Sequence, residues 1–229
     1  MREIIQFLRE LENNNNREWF TTNKNRYKIV QQKVYDLCKQ LITEIGKFDE
    51  DIAKLSVKEC TYRIYRDTRF SKDKDPYKTH FGIFLAPGGK KSMHAGYYLH
   101  IGTGNGNSYP AAHMLASGNY CYDPKAIKIL HEDISDGWEE FKSSIMDVAD
   151  SRFWIDMEGA LKKVPKPYTV EAPYADFMRL KSFCLVTNVD DDFMTSSNLV
   201  QRVADLFRTT KPFNDYVNRA VDYAREEDC

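Results

Sequence analysis

Apolar residues recur every three or four positions at both ends of this chain and every second position in its middle. That change of period confines the chain to folds that combine helices with a sheet. Near the start, Ile4, Ile5, Leu8 and Leu11 share one helical face, residues 13–16 are a run of asparagines that ends it, and Asn16 is placed to cap the next helix. From Tyr27, the positions Val30, Val34, Leu37, Leu41 and Ile45 step by three and four toward Gly46, which predicts a long amphipathic helix. Then the period drops to two. Cys60, Tyr62 and Ile64 alternate with Thr61, Arg63 and Tyr65 as a half-buried strand does; Phe81, Ile83 and Leu85 predict a second strand. Ala95, Tyr97, Leu99 and Ile101 predict a third, with His94, Tyr98 and His100 on its opposite face. Pro87-Gly88-Gly89 between the last two predicts an antiparallel hairpin.

Helical spacing returns afterwards. Asp123 as a cap with Pro124 behind it leads into Ile127, Leu130 and Ile134, and Trp138, Phe141, Ile145 and Val148 mark another helix. Pro165, Pro167 and Pro173 break the chain before a further strand at Phe183, Leu185, Thr187 and Val189. Leu199, Val203 and Phe207, then Phe213, Val217 and Ala220, predict two closing helices separated by Pro212. The expected fold is therefore α+β: one domain over residues 1–229, with a central antiparallel sheet and N-terminal and C-terminal helices packed around it. Trp19, Phe20, Trp138 and Trp154 are expected in its core.

Against that frame one segment departs from the average. The formal charge of the whole chain is −1, yet Arg63 to Lys78 carries Arg63, Arg66, Arg69, Lys72, Lys74 and Lys78 against only Asp67, Asp73 and Asp75. Arginine presents a planar fork of donors that fits carboxylate or phosphate. Three arginines within seven residues, interleaved with Tyr62, Tyr65 and Phe70, point to an anion site. A charge this close to zero gives no global pull toward nucleic acid or anionic membrane, so any such binding has to be local.

The same segment carries a resemblance. R-x-x-R-D-x-R-F, here Arg63, Arg66, Asp67, Arg69 and Phe70, is followed by Asp73, Lys74 and Tyr77. Supporting stretches are Asn15-Asn16-Arg17-Glu18-Trp19-Phe20, Ala95 to Ile101, Leu161-Lys162 to Pro165, and Arg179 to Phe183. On these residues the chain resembles domain-of-unknown-function family 2461, whose members are bacterial proteins with some fungal relatives. The likeness spans nearly the whole chain and is poorest between Thr103 and Tyr122. The resemblance implies that the arginine cluster matters; it implies no reaction.

Other chemistry is thinly represented. His94 and His100 lie on one strand face about 20 Å apart at the usual rise, too far to share a metal. His80 or His113 can each approach one of them, and His100 or His80 is the weak candidate for an acid or base beside the arginines. Gly102-x-Gly104-x-Gly106 follows a strand but opens no helix and has no Walker lysine, so it reads as a turn. No metal and no cofactor is expected. Cys38, Cys60, Cys121, Cys184 and Cys229 are odd in number and scattered, the pattern of reduced thiols rather than a disulfide frame. With no apolar run near 20 residues and no signal-peptide pattern at the start, the expected location is cytoplasmic, with no membrane partner.

The foremost expectation is a cytoplasmic enzyme or binding protein for a small phosphorylated or otherwise anionic ligand. Arg63, Arg66 and Arg69 grip the anion, Asp67 holds the arginines, and Lys74, Tyr77, Lys78 and His100 add donors or a proton. Two alternatives stand beside it. The basic run can serve a non-catalytic interaction module as an ion-pair staple, or it can engage nucleic acid through backbone and bases.

Overall fold

The computed structural model describes residues 1–69, 71–104, 112–120, 122–149 and 152–226. Phe70, the loop from Gly106 to Pro110, Cys121 and Cys229 lie outside the described residues, as does the side chain of Val148. Helices α1 (Arg2–Asn13), α2 (Arg17–Thr22) and α3 (Lys24–Ile45) open the chain, followed by the single turns α4 (Glu50–Ala53) and α5 (Val57–Cys60). As the sequence implies, Asn16 caps α2 by accepting from the Trp19 amide, and α3 buries Val30, Val34, Leu37, Leu41 and Ile45 along one face.

Three strands follow, β1 (Phe81–Leu85), β2 (Gly96–Ile101) and β3 (His113–Asn119). Helices α6 (Pro124–Asp136) and α7 (Trp138–Ala149) lead to β4 (Trp154–Ile155) and β5 (Phe183–Val189). The short α8 (Asp191–Thr195) and the long α9 (Leu199–Glu226) close the chain. Among the described residues the sheet has five strands in the order β1-β2-β3-β5-β4, every neighbour antiparallel. The fold is α+β, with helices around a central sheet.

Alternation along the strands gives the sheet two different faces. Ile83, Leu85, Tyr97, Leu99, Ile101, Leu115, Phe183 and Leu185 point into the main core, where they meet Leu8, Leu41, Phe207 and Phe213 from the helices. Met114, Ala116, Cys184 and Val186 face the other way, forming a small separate cluster against Tyr98. Cys38, Cys60 and Cys184 are buried free thiols.

Several sequence expectations need correction. Residues 60–65 form no continuous strand: α5 ends at Cys60, and afterwards only Thr61 and Tyr65 make isolated bridges, to Ile83 and Tyr77. The alternation fails at Tyr62, which is exposed although Cys60 and Ile64 on the same expected face are buried, and the backbone bonds back to 76 and 78 rather than along a partner strand. Pro212 does not split the last helix. Thr209 and Thr210 donate their hydroxyls to the carbonyls of Leu206 and Phe207, and Phe207 and Phe213 on either side are both fully buried. Packing of that face outweighs the lost amide. Trp154 is exposed on β4, not in the core, whereas Phe20 is buried.

Candidate functional site

The arginine-rich segment folds as a closed loop. Lys78 N–H donates to the Ile64 carbonyl at 2.8 Å and Arg66 N–H to the Pro76 carbonyl at 3.0 Å. Asn15 clamps the loop's end, donating from Nδ2 to the Tyr77 carbonyl and accepting the Tyr77 N–H. The Tyr77 ring stacks on Phe20 with centroids 3.9 Å apart and an interplanar angle of 12°. The stretch Asn15 to Phe20 thus has a mechanical part: it fastens the loop to the first helices.

Within the loop, most charge is spoken for. Arg66 pairs with Asp73 at 2.6 Å, and Arg69 makes a two-pronged contact with Asp67 at 2.9 and 2.6 Å. Lys74 donates to the Thr68 carbonyl. Arg69 and Asp67 are 77% and 46% exposed, so their pair is a surface contact that solvent screens. Asp67 therefore holds Arg69 rather than a buried arginine set. Replacing Asp67 with alanine is expected to leave the thermal midpoint indistinguishable from the parent; a large drop on a melting curve would mean the pair carries hidden structure.

Arg63 and Lys78 have a different setting. Both line a cavity of about 510 Å³ on the sheet face that the helices leave uncovered. Its floor is built from alternate residues of four strands: Gly82 and Phe84 on β1, Tyr98 and His100 on β2, Met114, Ala116 and Gly118 on β3, and Cys184 on β5. Tyr62, His80, Asn119 and Tyr120 complete the wall. No aspartate or glutamate is among these lining residues. Among the described residues neither Arg63 nor Lys78 forms a salt bridge. The Lys78 ammonium lies 5.5 Å from the centre of the Tyr62 ring, a cation–π contact.

Electrostatics follow from that surplus. Burial, then Arg63 and Arg66, pushes the Lys78 ammonium below its usual range. Burial, then Lys78 and Arg66, lowers His80 to about 4. Burial, then His80, lowers His100 to about 3. The two imidazoles stand 4.7 Å apart, and the Tyr98 hydroxyl meets Nδ1 of His100 at 3.2 Å. Both rings are therefore neutral at pH 7. Gly82 makes room for the Tyr98 ring, since a Cβ there would sit 2.7 Å from the phenol oxygen.

Of the residues singled out from sequence, the structure brings Arg63, Lys78, His80 and His100 to one cavity. Arg66 stands near enough to act on Lys78 and His80, while Asp67, Arg69, Lys74 and Tyr77 do not line it. His94 bonds Asp222, and His113 bonds Asp191 on the opposite sheet face. Among the described residues no group of three or more His, Cys, Asp or Glu side chains is placed to hold a metal ion. Sequence reasoning missed the floor. Tyr98 was legible as a partner of His100 by strand parity, but Met114, Ala116, Gly118 and Cys184 carry no charge or motif to advertise them.

No helix among the described residues is long and apolar enough to cross a membrane. A family model described as "Conserved hypothetical protein (DUF2461)" matches residues 3–216 of the chain. Comparison with curated proteins and with solved structures gives no match.

Proposed function

The chain belongs to the DUF2461 family, and we propose that it binds or acts on a small anionic ligand, held by Arg63 and Lys78 in the cavity on the outer sheet face. The observation that carries this reading is a cavity with two cations at its wall and no carboxylate among its lining residues. Lys78 is half-buried and Arg63 exposed at the cavity, neither with a carboxylate among the lining residues, so an entering anion gains a charge-assisted contact from each. Arg66 adds to the local field, and His80 and His100 are positioned to take up a proton once the anion arrives. The protein acts as one domain in the cytoplasm, a location that the buried free thiols Cys38, Cys60 and Cys184 support. The staple reading is favoured for Arg69 and Arg66, which pair with Asp67 and Asp73.

Three results are expected. Inorganic phosphate and organic anions raise the thermal midpoint at about 0.15 M salt. Arg63→Ala and Lys78→Ala each weaken binding roughly 10- to 100-fold, the worth of a charge-assisted hydrogen bond. Because a bound anion raises His80 from its depressed value of about 4, binding takes up protons and tightens as pH falls toward that value. Calorimetry in two buffers of different ionisation enthalpy measures that uptake. Anion binding that survives the double Arg63→Ala, Lys78→Ala change, or tight oligonucleotide binding with no small-anion effect, overturns the proposal.

A further inference from the structure

The cavity's cations occupy only its wall; the floor is a different material. Ala116 and Gly118 put almost no side chain above the sheet, the Tyr98 ring lies over Gly82, and Met114, Phe84 and Cys184 surround them with apolar atoms. The Tyr98 hydroxyl is already engaged with His100. A ligand body lying on this floor therefore meets flat apolar surface and few free donors or acceptors. A sugar ring would strand its hydroxyls there, each an unpaired polar group away from water. An aromatic or acyl body loses nothing by the transfer and removes its own apolar surface from water. The volume of about 510 Å³ is that of pockets that enclose a whole small molecule, far more than a bare phosphate fills.

We propose that the ligand is an amphipathic acid: one carboxylate or phosphate at Arg63 and Lys78, joined to an aromatic or short acyl body laid over Tyr98, Ala116 and Gly118. The inference rests on the anion reading above and adds the chemical class of the body. Tyr62 and Tyr120, at the wall, are the side chains placed to flank such a body.

The test is a matched series on the full chain. Inorganic phosphate and acetate serve as anions without a body; butyrate, hexanoate, octanoate and phenylacetate add one; hexanol and glucose 6-phosphate are the contrasts. Calorimetry or thermal shift reads each. Binding should tighten about three- to fourfold per added methylene until the floor is covered. Phenylacetate should exceed acetate by a large factor, and glucose 6-phosphate should not exceed inorganic phosphate. Lys78→Ala should weaken the whole acid series by a similar factor while leaving the per-methylene gain intact. Equal binding of acetate, hexanoate and octanoate overturns the inference and spares the anion reading. Hexanol binding as tightly as hexanoate overturns both. Glucose 6-phosphate binding more tightly than octanoate or phenylacetate overturns the apolar-body assignment alone.

Discussion

Lowering the pH from 6.5 to 4.5 is expected to remove about 4 kcal/mol of folding stability through His80 and His100 alone. Burial holds the two rings neutral, with folded pKa values of about 4 and about 3 against an ordinary 6.5. In that window the unfolded chain takes up a proton at each ring and the folded protein does not. Stability contributed by a depressed group is full above its unfolded value and is lost as pH falls toward the folded one. Each ring therefore contributes a slope that is about half of 1.4 kcal/mol per pH unit at pH 6.5 and approaches that limit lower in the window. His113 and His131 are depressed by burial too and act in the same direction. A loss of this size is a large share of the 5–15 kcal/mol typical of a folded domain. Urea midpoints at pH 7, 6, 5 and 4.5 measure it. His100→Gln, which cannot titrate, should flatten the profile; equal midpoints at pH 7 and pH 5 in the parent protein would contradict the burial of the pair.

Gly118→Ala is expected to be the most damaging single change on the cavity floor. Gly118 has φ +125°, a region that side chains rarely adopt, and a Cβ built there would run into the Phe183 carbonyl on the paired strand β5. Backbone strain of about 1–3 kcal/mol adds to the displacement of a neighbouring strand. The combined cost should be about 3 kcal/mol or more, a fall in thermal midpoint of roughly 6–12 °C for a chain of this length. Because β3 and β5 both supply floor residues, binding of small anions should weaken with it. A midpoint within about 2 °C of the parent would mean that β3 and β5 can separate without loss.

Much of the helical frame is legible in the sequence, and much of the sheet is not. Three-four spacing locates α1, α3, α6 and α7 because each buries one stripe against the core and exposes the rest. Strands β1, β2 and β5 announce themselves by β-branched and aromatic residues. The central strand β3 does not. His113 to Gly118 is buried on both faces, so no polar–apolar alternation survives, and its composition of His, Ser and Gly has little strand preference. The candidate site was half legible for the same reason. Arg63 and Lys78 stand out by charge, whereas a floor of Gly82, Ala116 and Gly118 becomes meaningful only when the strands are laid side by side. Charge density also drew in Lys74, and the family motif drew in Tyr77; both fasten the loop instead of lining the cavity.

The bridge from Thr61 to Ile83 has a consequence for life in a crowded solution. Strand β1 is the last on its side of the sheet, and an uncovered last strand offers free N–H and C=O groups to any other chain that can extend beside it. Thr61, at the root of the arginine segment, occupies part of that border, and the segment behind it is anchored through Asn15, Phe20 and Tyr77. At the opposite border β4 is only two residues long, too short to template a stranger. The loop that carries the cations is thus also a guard against intermolecular strand pairing. Variants that loosen it, such as Asn15→Ala, are expected to form concentration-dependent aggregates before they lose helical signal, which light scattering beside circular dichroism would separate.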